Sequence, residues 1–319
     1  MRRRVVVTDH PFEDTGPERA VAEGRGADFA EFAVLTEADT AAAVSGAAVV
    51  LVDRAPVTAD VIAVLPDGAV VIRYGVGYDN VDVRAASRAG VHVCHITDYG
   101  TNTVADHAAT LLLACLRRLT QFDDAVRGAG WSQAQAFGTI NSFGTTCVGL
   151  VGTGRIGVAL IHRLRGFGFR LIAHDPYVDP DITQSLGVEL VDLPTLLARA
   201  DAISLHLPLT EQTRHLVDSD FLGSMRRGAS LINTSRGGLV DTVALAAALR
   251  DGRIAAAGLD VYEIEPLNAD SPLRGLPNVI LTPHVAFYSE QSLVKLQRLA
   301  ADELGRALDG RPLKGVVSA

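Results

Sequence analysis

Short runs of aliphatic and β-branched residues alternate with longer amphipathic stretches along this chain. Val5–Val7, Phe32–Leu35, Val49–Val52, Val70–Ile72 and Val91–Cys94 read as strands, and the segments between them as helices. A second series starts near residue 147: Cys147–Val151, Arg170–Ala173, Ala202–Leu205, Ala229–Ile232, Ala256–Leu259 and Val279–Leu281. Helical stretches such as Thr242–Arg250 separate them, with Asp241 placed to cap that helix and Gly252 just past its end. Uninterrupted apolar strands alternating with helices predict parallel sheets covered on both faces, here two doubly wound α/β units. Between the series, Thr103 to Val126 holds neither Gly nor Pro and predicts one long helix bridging the units. Gly128 to Thr146 lacks periodicity and carries the only tryptophan, Trp131; it reads either as an extended arm used in an oligomer contact or as a surface loop. A last helix, Ser289 to Leu308, ends at Gly310. It has no sheet of its own to complete and is expected to return to the first unit.

Composition narrows the possibilities. The 319 residues suit about two domains. With 48% hydrophobic and 21% charged residues the chain is globular rather than disordered. A net charge of −8 argues against nucleic acid or an anionic membrane as partner. The longest apolar run, Ala41 to Val52, has 12 residues with Ser45 and Gly46 inside, well short of the ~20 that a membrane span needs. The start, Met1-Arg2-Arg3-Arg4, is followed by only three valines, too few for a secretory signal. Cys94, Cys115 and Cys147 are far apart, which excludes a disulfide framework and most zinc modules. A reduced cytoplasm and no metal centre are expected.

Gly152-Thr153-Gly154-Arg155-Ile156-Gly157 follows an apolar strand and precedes a helix. In a GxGxxG loop the first glycine permits the tight turn, the second lets the backbone approach a pyrophosphate, and the third allows close helix–strand packing. The helix N-terminus then faces the anion with free N–H groups. The next strand ends at Asp175, 18 residues past Gly157, where a carboxylate would hydrogen-bond the adenosine ribose. Asp175 would repel a 2′-phosphate, and Pro176 and Tyr177 supply no arginine to hold one. NAD rather than NADP is the expected cofactor.

Ligands of open α/β sheets sit outside the carboxyl ends of the strands. Three such ends carry reactive side chains: Asn233-Thr234-Ser235-Arg236-Gly237-Gly238, Asp260-Val261-Tyr262-Glu263-Ile264-Glu265-Pro266 and Thr282-Pro283-His284. Arg236 can grip a carboxylate with two parallel hydrogen bonds. His284 can exchange a proton near neutral pH, and Glu265 beside it would orient the ring and stabilise the imidazolium. Singly, these residues also read as a surface charge, a strand-end cap and a helix-terminal acid. Together at the rim of an NAD site they suggest hydride transfer to a carbonyl beside a carboxylate.

With these motifs and Gly75-Val76-Gly77-Tyr78-Asp79-Asn80-Val81-Asp82, the chain resembles the D-isomer-specific 2-hydroxyacid dehydrogenase family over nearly its whole length, least over the first 45 residues. The resemblance implies a Rossmann-like NAD domain, residues 103–285, inserted into a split substrate domain, residues 1–102 and 286–319. It implies Arg236 as substrate clamp, His284 as acid/base and Glu265 as its partner. Gly152, Gly154, Arg155, Ile156, Gly157, Asp175, Pro208, Thr213, Thr234, Ser235 and Asp260 would hold the cofactor, Asp260 at the nicotinamide carboxamide. Arg73, Gly75, Val76 and Gly77 match the substrate-carboxylate cradle, with Phe287 as an aromatic wall. Family members are usually homodimers through the NAD domain, which fits an arm at Gly128–Thr146. His284-Val285-Ala286-Phe287-Tyr288-Ser289-Glu290-Gln291 is similar to the branch that contains the C-terminal-binding-protein corepressors, with Phe287 where that branch has tryptophan. Val57-Thr58-Ala59-Asp60-Val61-Ile62 and Arg73 are shared with phosphoglycerate dehydrogenases, but Arg54 does not align cleanly with their phosphate-gripping arginine. The chain also ends at Ala319, short of a C-terminal regulatory domain. The expected activity is NAD-dependent interconversion of a small D-2-hydroxy acid and its 2-oxo acid. Alternatives are an NAD(H)-sensing, corepressor-like binding protein and a dehydrogenase of a phosphonate- or phosphite-like anion.

Overall fold

The computed structural model describes residues 2–179, 181 and 185–317. They form two compact units, one built from residues up to Gly100 and from Tyr288 onward, the other from Thr101 to Phe287. The junctions fall two residues from the boundaries expected from the sequence.

The split unit opens with β1 (Arg4–Val7), α1 (Gly16–Glu23), β2 (Asp28–Glu31), α2 (Glu37–Val44), β3 (Val49–Val52), α3 (Ala59–Ala63), β4 (Val70–Arg73), α4 (Val83–Arg88) and β5 (His92–His95). The inserted unit follows with α5 (Thr101–Arg117), α6 (Leu119–Ala129), β6 (Cys147–Val151), α7 (Arg155–Arg165), β7 (Arg170–His174), β8 (Glu189–Leu190), α8 (Leu193–Arg199), β9 (Ala202–Leu205), α9 (Ser219–Ser224), β10 (Ala229–Asn233), α10 (Thr242–Arg250), β11 (Ile254–Leu259) and β12 (Val279–Leu281). The chain then returns with α11 (Glu290–Asp309) and β13 (Val316–Val317).

The split unit holds a six-stranded sheet in the order β13-β5-β4-β3-β1-β2. All neighbours are parallel except β13, which runs antiparallel to β5. Alternate residues feed opposite faces, as a pleated strand requires. Val6, Val50, Val52, Val71 and Val93 enter one core, while Val5, Val7, Val49, Leu51 and Ile72 enter the other. The second core is completed by Leu296, Ala300 and Leu304 of α11. Burying each such leucine contributes about 1.5–3 kcal/mol, so the returning helix is part of this unit's fold. Its start is fixed by a capping box between Ser289 and Ser292, and Gly310 ends it in the left-handed region at φ 65°.

Two expectations are corrected. The second strand is Asp28–Glu31, not Phe32–Leu35. It is the edge strand beside β1, so one of its sides needs no apolar cover. Phe32 and Leu35 lie beyond the ladder, 36% and 64% exposed. The expected single helix from Thr103 to Val126 is two helices, broken at Arg118, which sits in the left-handed region at φ 54°. Its buried guanidinium donates from Nη1 to the carbonyl of Cys115, 3.1 Å away. A long side chain therefore supplies the break, which no Gly or Pro announces.

The inserted unit carries a seven-stranded sheet in the order β12-β11-β10-β9-β6-β7-β8, parallel throughout. Strand order reverses around β6, which places a topological switch point at its carboxyl end, between β6 and β9. Helix α5 lies close against β11: a Cβ added to Gly258 would fall 2.9 Å from Leu111 Cβ. Residues 131–146 contain no helix or strand except a short 3₁₀ turn at Phe143–Thr145.

Candidate active site

The phosphate loop leaves β6 at the switch point. Gly152 has φ 93°, and a Cβ there would fall 2.4 Å from the carbonyl oxygen of His206 at the end of β9. A Cβ on Gly157 would fall 2.5 Å from the Gly152 carbonyl oxygen. Both positions therefore require glycine. Gly154 caps the eleven-residue α7, with Arg155 exposed at its first position and Ile156 partly buried behind it. Asp175 lies just beyond β7, where its Oδ2 accepts from Thr153 N–H at 2.7 Å and from the Thr153 hydroxyl at 2.9 Å. Its Oδ1 accepts from Tyr177 N–H at 3.0 Å. Burial alone would raise the Asp175 pKa, but these hydrogen bonds outweigh it and hold the carboxyl below its ordinary range.

The residues fit a dinucleotide. Buried polar atoms normally find partners. His206 Nδ1 and Thr234 Oγ1 are among the described buried atoms with none. They stand at the ends of the adjacent strands β9 and β10, beside the glycine loop. Burial pushes the His206 pKa down to about 4, so its ring is neutral at physiological pH. Ser235 ties the two strand ends together by donating its hydroxyl to the Leu205 carbonyl at 2.6 Å. Beyond β9, the Thr213 hydroxyl donates to the Pro208 carbonyl at 2.7 Å and folds the expected cofactor-covering loop on itself.

The three reactive strand ends converge. His284 Nδ1 lies 2.6 Å from Glu265 Oε2. The other oxygen of Glu265, Oε1, accepts from Tyr262 N–H at 3.0 Å. Arg236 follows β10; Asn233 Nδ2 donates to its carbonyl at 2.8 Å, and its own Nη1 donates to the Ser235 carbonyl at 2.7 Å. A Cβ on Gly237 would fall 1.8 Å from the Tyr262 carbonyl carbon, so the Arg236 loop lies directly against the loop that carries Glu265. The Phe287 ring stands edge-on to His284, with centroids 6.4 Å apart.

Asp260 holds this arrangement. It is fully buried. Its Oδ1 accepts from the Thr282 hydroxyl at 2.6 Å and Val285 N–H at 2.9 Å, and its Oδ2 accepts from Ala286 N–H at 2.8 Å. His284 N–H donates to the Asp260 carbonyl at 2.8 Å. These bonds hold His284 at φ 54°, a left-handed backbone that costs a residue with a Cβ roughly 1–2 kcal/mol. Hydrogen bonds to a charged group contribute about 1.5–3 kcal/mol each, enough to sustain that strain.

In the split unit, the expected cradle lies after β4. Arg73 Nη1 donates to the Tyr74 carbonyl at 2.5 Å, and its Nη2 lies 3.8 Å from Asp53 Oδ1. Gly75 has φ 119°, and a Cβ there would strike the Arg73 guanidinium. The Val76 carbonyl lies 2.5 Å from His95 Nδ1, and Gly77 continues the turn.

Three contributors escaped the sequence reading. His206 is one; its position at a strand end was the available signal. Tyr262 is another, whose hydroxyl donates to the carbonyls of Leu259 at 3.1 Å and Thr282 at 2.9 Å. Burial, with Asp260 and Glu265 nearby, pushes its pKa up to about 12, so it stays a donor. His107 of α5 is the third, its Nε2 standing 3.0 Å from Thr282 Oγ1. Among the described residues no group of three or more His, Cys, Asp or Glu could hold a metal ion, and no helix is long and apolar enough to cross a membrane.

The chain is similar to known proteins along most of its length. Residues 109–286 match the family described as D-isomer specific 2-hydroxyacid dehydrogenase, NAD binding domain. A glyoxylate reductase of Korarchaeum cryptofilum is 42% identical over 252 residues, 78% of this chain and 76% of that protein. A D-3-phosphoglycerate dehydrogenase of Mycobacterium leprae is 43% identical over 80% of this chain, but the match spans only 48% of that protein. The crystal structure of an Aquifex aeolicus D-lactate dehydrogenase, complexed with NAD and lactic acid, superposes with a TM-score of 0.86 at 27% identity and covers 96% of each chain. The chain belongs to the D-isomer-specific 2-hydroxyacid dehydrogenase family, NAD-dependent oxidoreductases that interconvert 2-hydroxy and 2-oxo acids.

Proposed function

We propose that this enzyme reduces a small 2-oxo acid, and oxidises the matching D-2-hydroxy acid, with His284 as acid/base, Glu265 as its partner and Arg236 as the carboxylate clamp. The observation that carries the reading is the 2.6 Å His284–Glu265 pair on the loop face that also bears Arg236. When bound, the nicotinamide supplies or accepts the hydride. Gly152, Gly154 and Gly157, with Asp175, Thr234 and Ser235, would hold the dinucleotide, and the Pro208–Thr213 loop would cover it. Arg236 orients the substrate by its carboxylate. Glu265 engages Nδ1 of His284, so Nε2 is the nitrogen that delivers a proton to the carbonyl oxygen during reduction and removes it from the hydroxyl during oxidation. Phe287, edge-on to His284, would pack against the substrate's carbon end.

The inserted unit also supports a homodimer. Trp131, Leu119 and Val126 are 84%, 61% and 49% exposed, and contacting Phe122 and Phe137 rings, centroids 5.0 Å apart, hold the 131–146 segment on α6. So much apolar surface in one stretch marks a contact site. Three free, buried cysteines suit a reducing cytoplasm, which cell fractionation checks.

Assayed across 2-oxo acids with NADH, Arg236→Lys keeps the charge but loses the planar fork. It should cost at least ~10-fold in kcat/KM, since a charge-assisted bond contributes roughly 1.5–3 kcal/mol; a fully active variant would place the clamp elsewhere.

Cofactor choice follows from Asp175. The hydrogen bonds from Thr153 and Tyr177 hold its carboxyl below the ordinary range and keep it anionic at neutral pH, so kcat/KM should favour NADH over NADPH there. Asp175→Ala should narrow the gap by removing the repulsion. Equal use of both cofactors by the unaltered enzyme would contradict the assignment.

Glu265→Gln keeps the shape but removes the carboxylate that holds His284 Nδ1. Reduction should lose at least about 10-fold in kcat, within what a positioned acid/base contributes, with KM little changed. A parental kcat would mean that Glu265 has no part in the proton transfer.

Light scattering at micromolar concentration should report twice the 33.7 kDa chain mass, and charged substitutions at Trp131 and Val126 should reduce it to one. A monomeric parent protein rules out the proposed interface.

A further inference from the structure

We propose that His107, from α5, is a positioning residue that fixes the acid/base turn through Thr282 and Asp260. The inference rests on the reading of His284 as acid/base. The Thr282 hydroxyl has one hydrogen, and it points at Asp260 Oδ1, 2.6 Å away. His107 Nε2 stands 3.0 Å from the same hydroxyl oxygen. That oxygen has no second hydrogen to give, so Nε2 carries the hydrogen and donates. The chain of bonds then runs from His107 Nε2–H to Thr282 Oγ1–H to Asp260 Oδ1. From the other side, Val285 N–H and Ala286 N–H close onto the two oxygens of the same carboxylate. His284 lies between these anchors, with its backbone in the left-handed region at φ 54°.

The imidazole also stands 3.7 Å from Asp260 Oδ1, and its side chain is only 24% exposed. It belongs to the helix that packs on Gly258 of β11, two residues before Asp260. The helix is therefore rigidly placed against the strand whose end it braces. Without the Nε2 donor the Thr282 hydroxyl is free to turn away from Asp260. The carboxylate then loses one of its three donors, and the 282–286 turn loses the contact that fixes its register. His284 would drift relative to Glu265. Arg236 stands on the separate loop that follows β10, where Asn233 Nδ2 donates to its carbonyl, so loss of His107 should appear in kcat and spare KM. A histidine that only filled space beside Thr282 would instead lower stability without this split.

The test uses His107→Leu, His107→Gln, Thr282→Val and the Leu/Val double variant. Each is assayed for NADH-dependent reduction of the best 2-oxo acid and checked for thermal stability and NADH binding. His107→Leu should lower kcat by about 10-fold or more, since small misplacements of a reacting group are that costly, with KM within about 3-fold. Gln places an amide donor near the Nε2 position and should restore kcat to within about 3-fold of the parent. Thr282→Val should match the Leu loss, and the double variant should be no worse than either single one. A His107→Leu enzyme with parental kcat, or losses that multiply in the double variant, overturns the proposal. Should the Leu protein fail to fold, His107→Asn, whose amide is too short to reach Thr282, is compared with Gln; equal kcat for the two overturns it as well. His284→Ala is assayed in parallel. Retained activity there removes the acid/base reading itself, whereas an inactive His284→Ala beside a fully active His107→Leu removes only the role of His107.

Discussion

A buried carboxyl group leaves its oxygens unsatisfied, at a cost, unless donors reach them. Asp260, fully buried at the end of β11, meets that demand from one short stretch of chain: the Thr282 hydroxyl and the N–H groups of Val285 and Ala286. Pro283 and His284 lie between those donors. Satisfying Asp260 therefore dictates the path of the turn and places the imidazole beside Glu265. The neighbouring constraints serve the same end. The Tyr262 hydroxyl links the carbonyls that end β11 and follow β12, while its N–H holds the second oxygen of Glu265. Gly237 lets the Arg236 loop lie directly on the Tyr262 backbone. The reactive trio is thus assembled from the ends of three adjacent strands by backbone contacts, with little left to side-chain flexibility.

Much of this is legible in the sequence because it depends on local chemistry. Gly152 and Gly157 are needed for contacts made within a few residues or at a single neighbouring strand end, so the GxGxxG spacing shows them. Asp175 is found because the next parallel strand has a predictable length. Arg236, Glu265 and His284 are visible because each follows an apolar run, and the carboxyl ends of parallel strands share one edge. What stays hidden depends on partners far away in the chain. Arg118 breaks a helix through its own buried guanidinium, and no Gly or Pro reveals it. β2 sits at a sheet edge, where Phe32–Leu35 looks more strand-like than the true Asp28–Glu31. His107 lies 175 positions from Thr282 and looks like an ordinary helix residue until the strand ends are in place.

The two units carry different kinds of information. In the inserted unit, the phosphate loop and the strand-end trio are set by glycine contacts and buried hydrogen bonds that leave little room for change. The chain as a whole is similar to proteins named for glyoxylate, phosphoglycerate and lactate. The split unit contributes Arg73 and an exposed turn at Gly75–Gly77, where Val76 and Tyr78 are 45% and 38% exposed.

If the strand-end trio handles the substrate, His284 meets the reacting oxygen and Arg236 the carboxylate. A crystal structure of the enzyme with NAD and its preferred 2-hydroxy acid is the decisive test. The substrate hydroxyl should lie within about 3 Å of His284 Nε2, with Glu265 still on Nδ1 and the carboxylate paired with Arg236. A substrate seated with its hydroxyl away from His284, or its carboxylate away from Arg236, would contradict it.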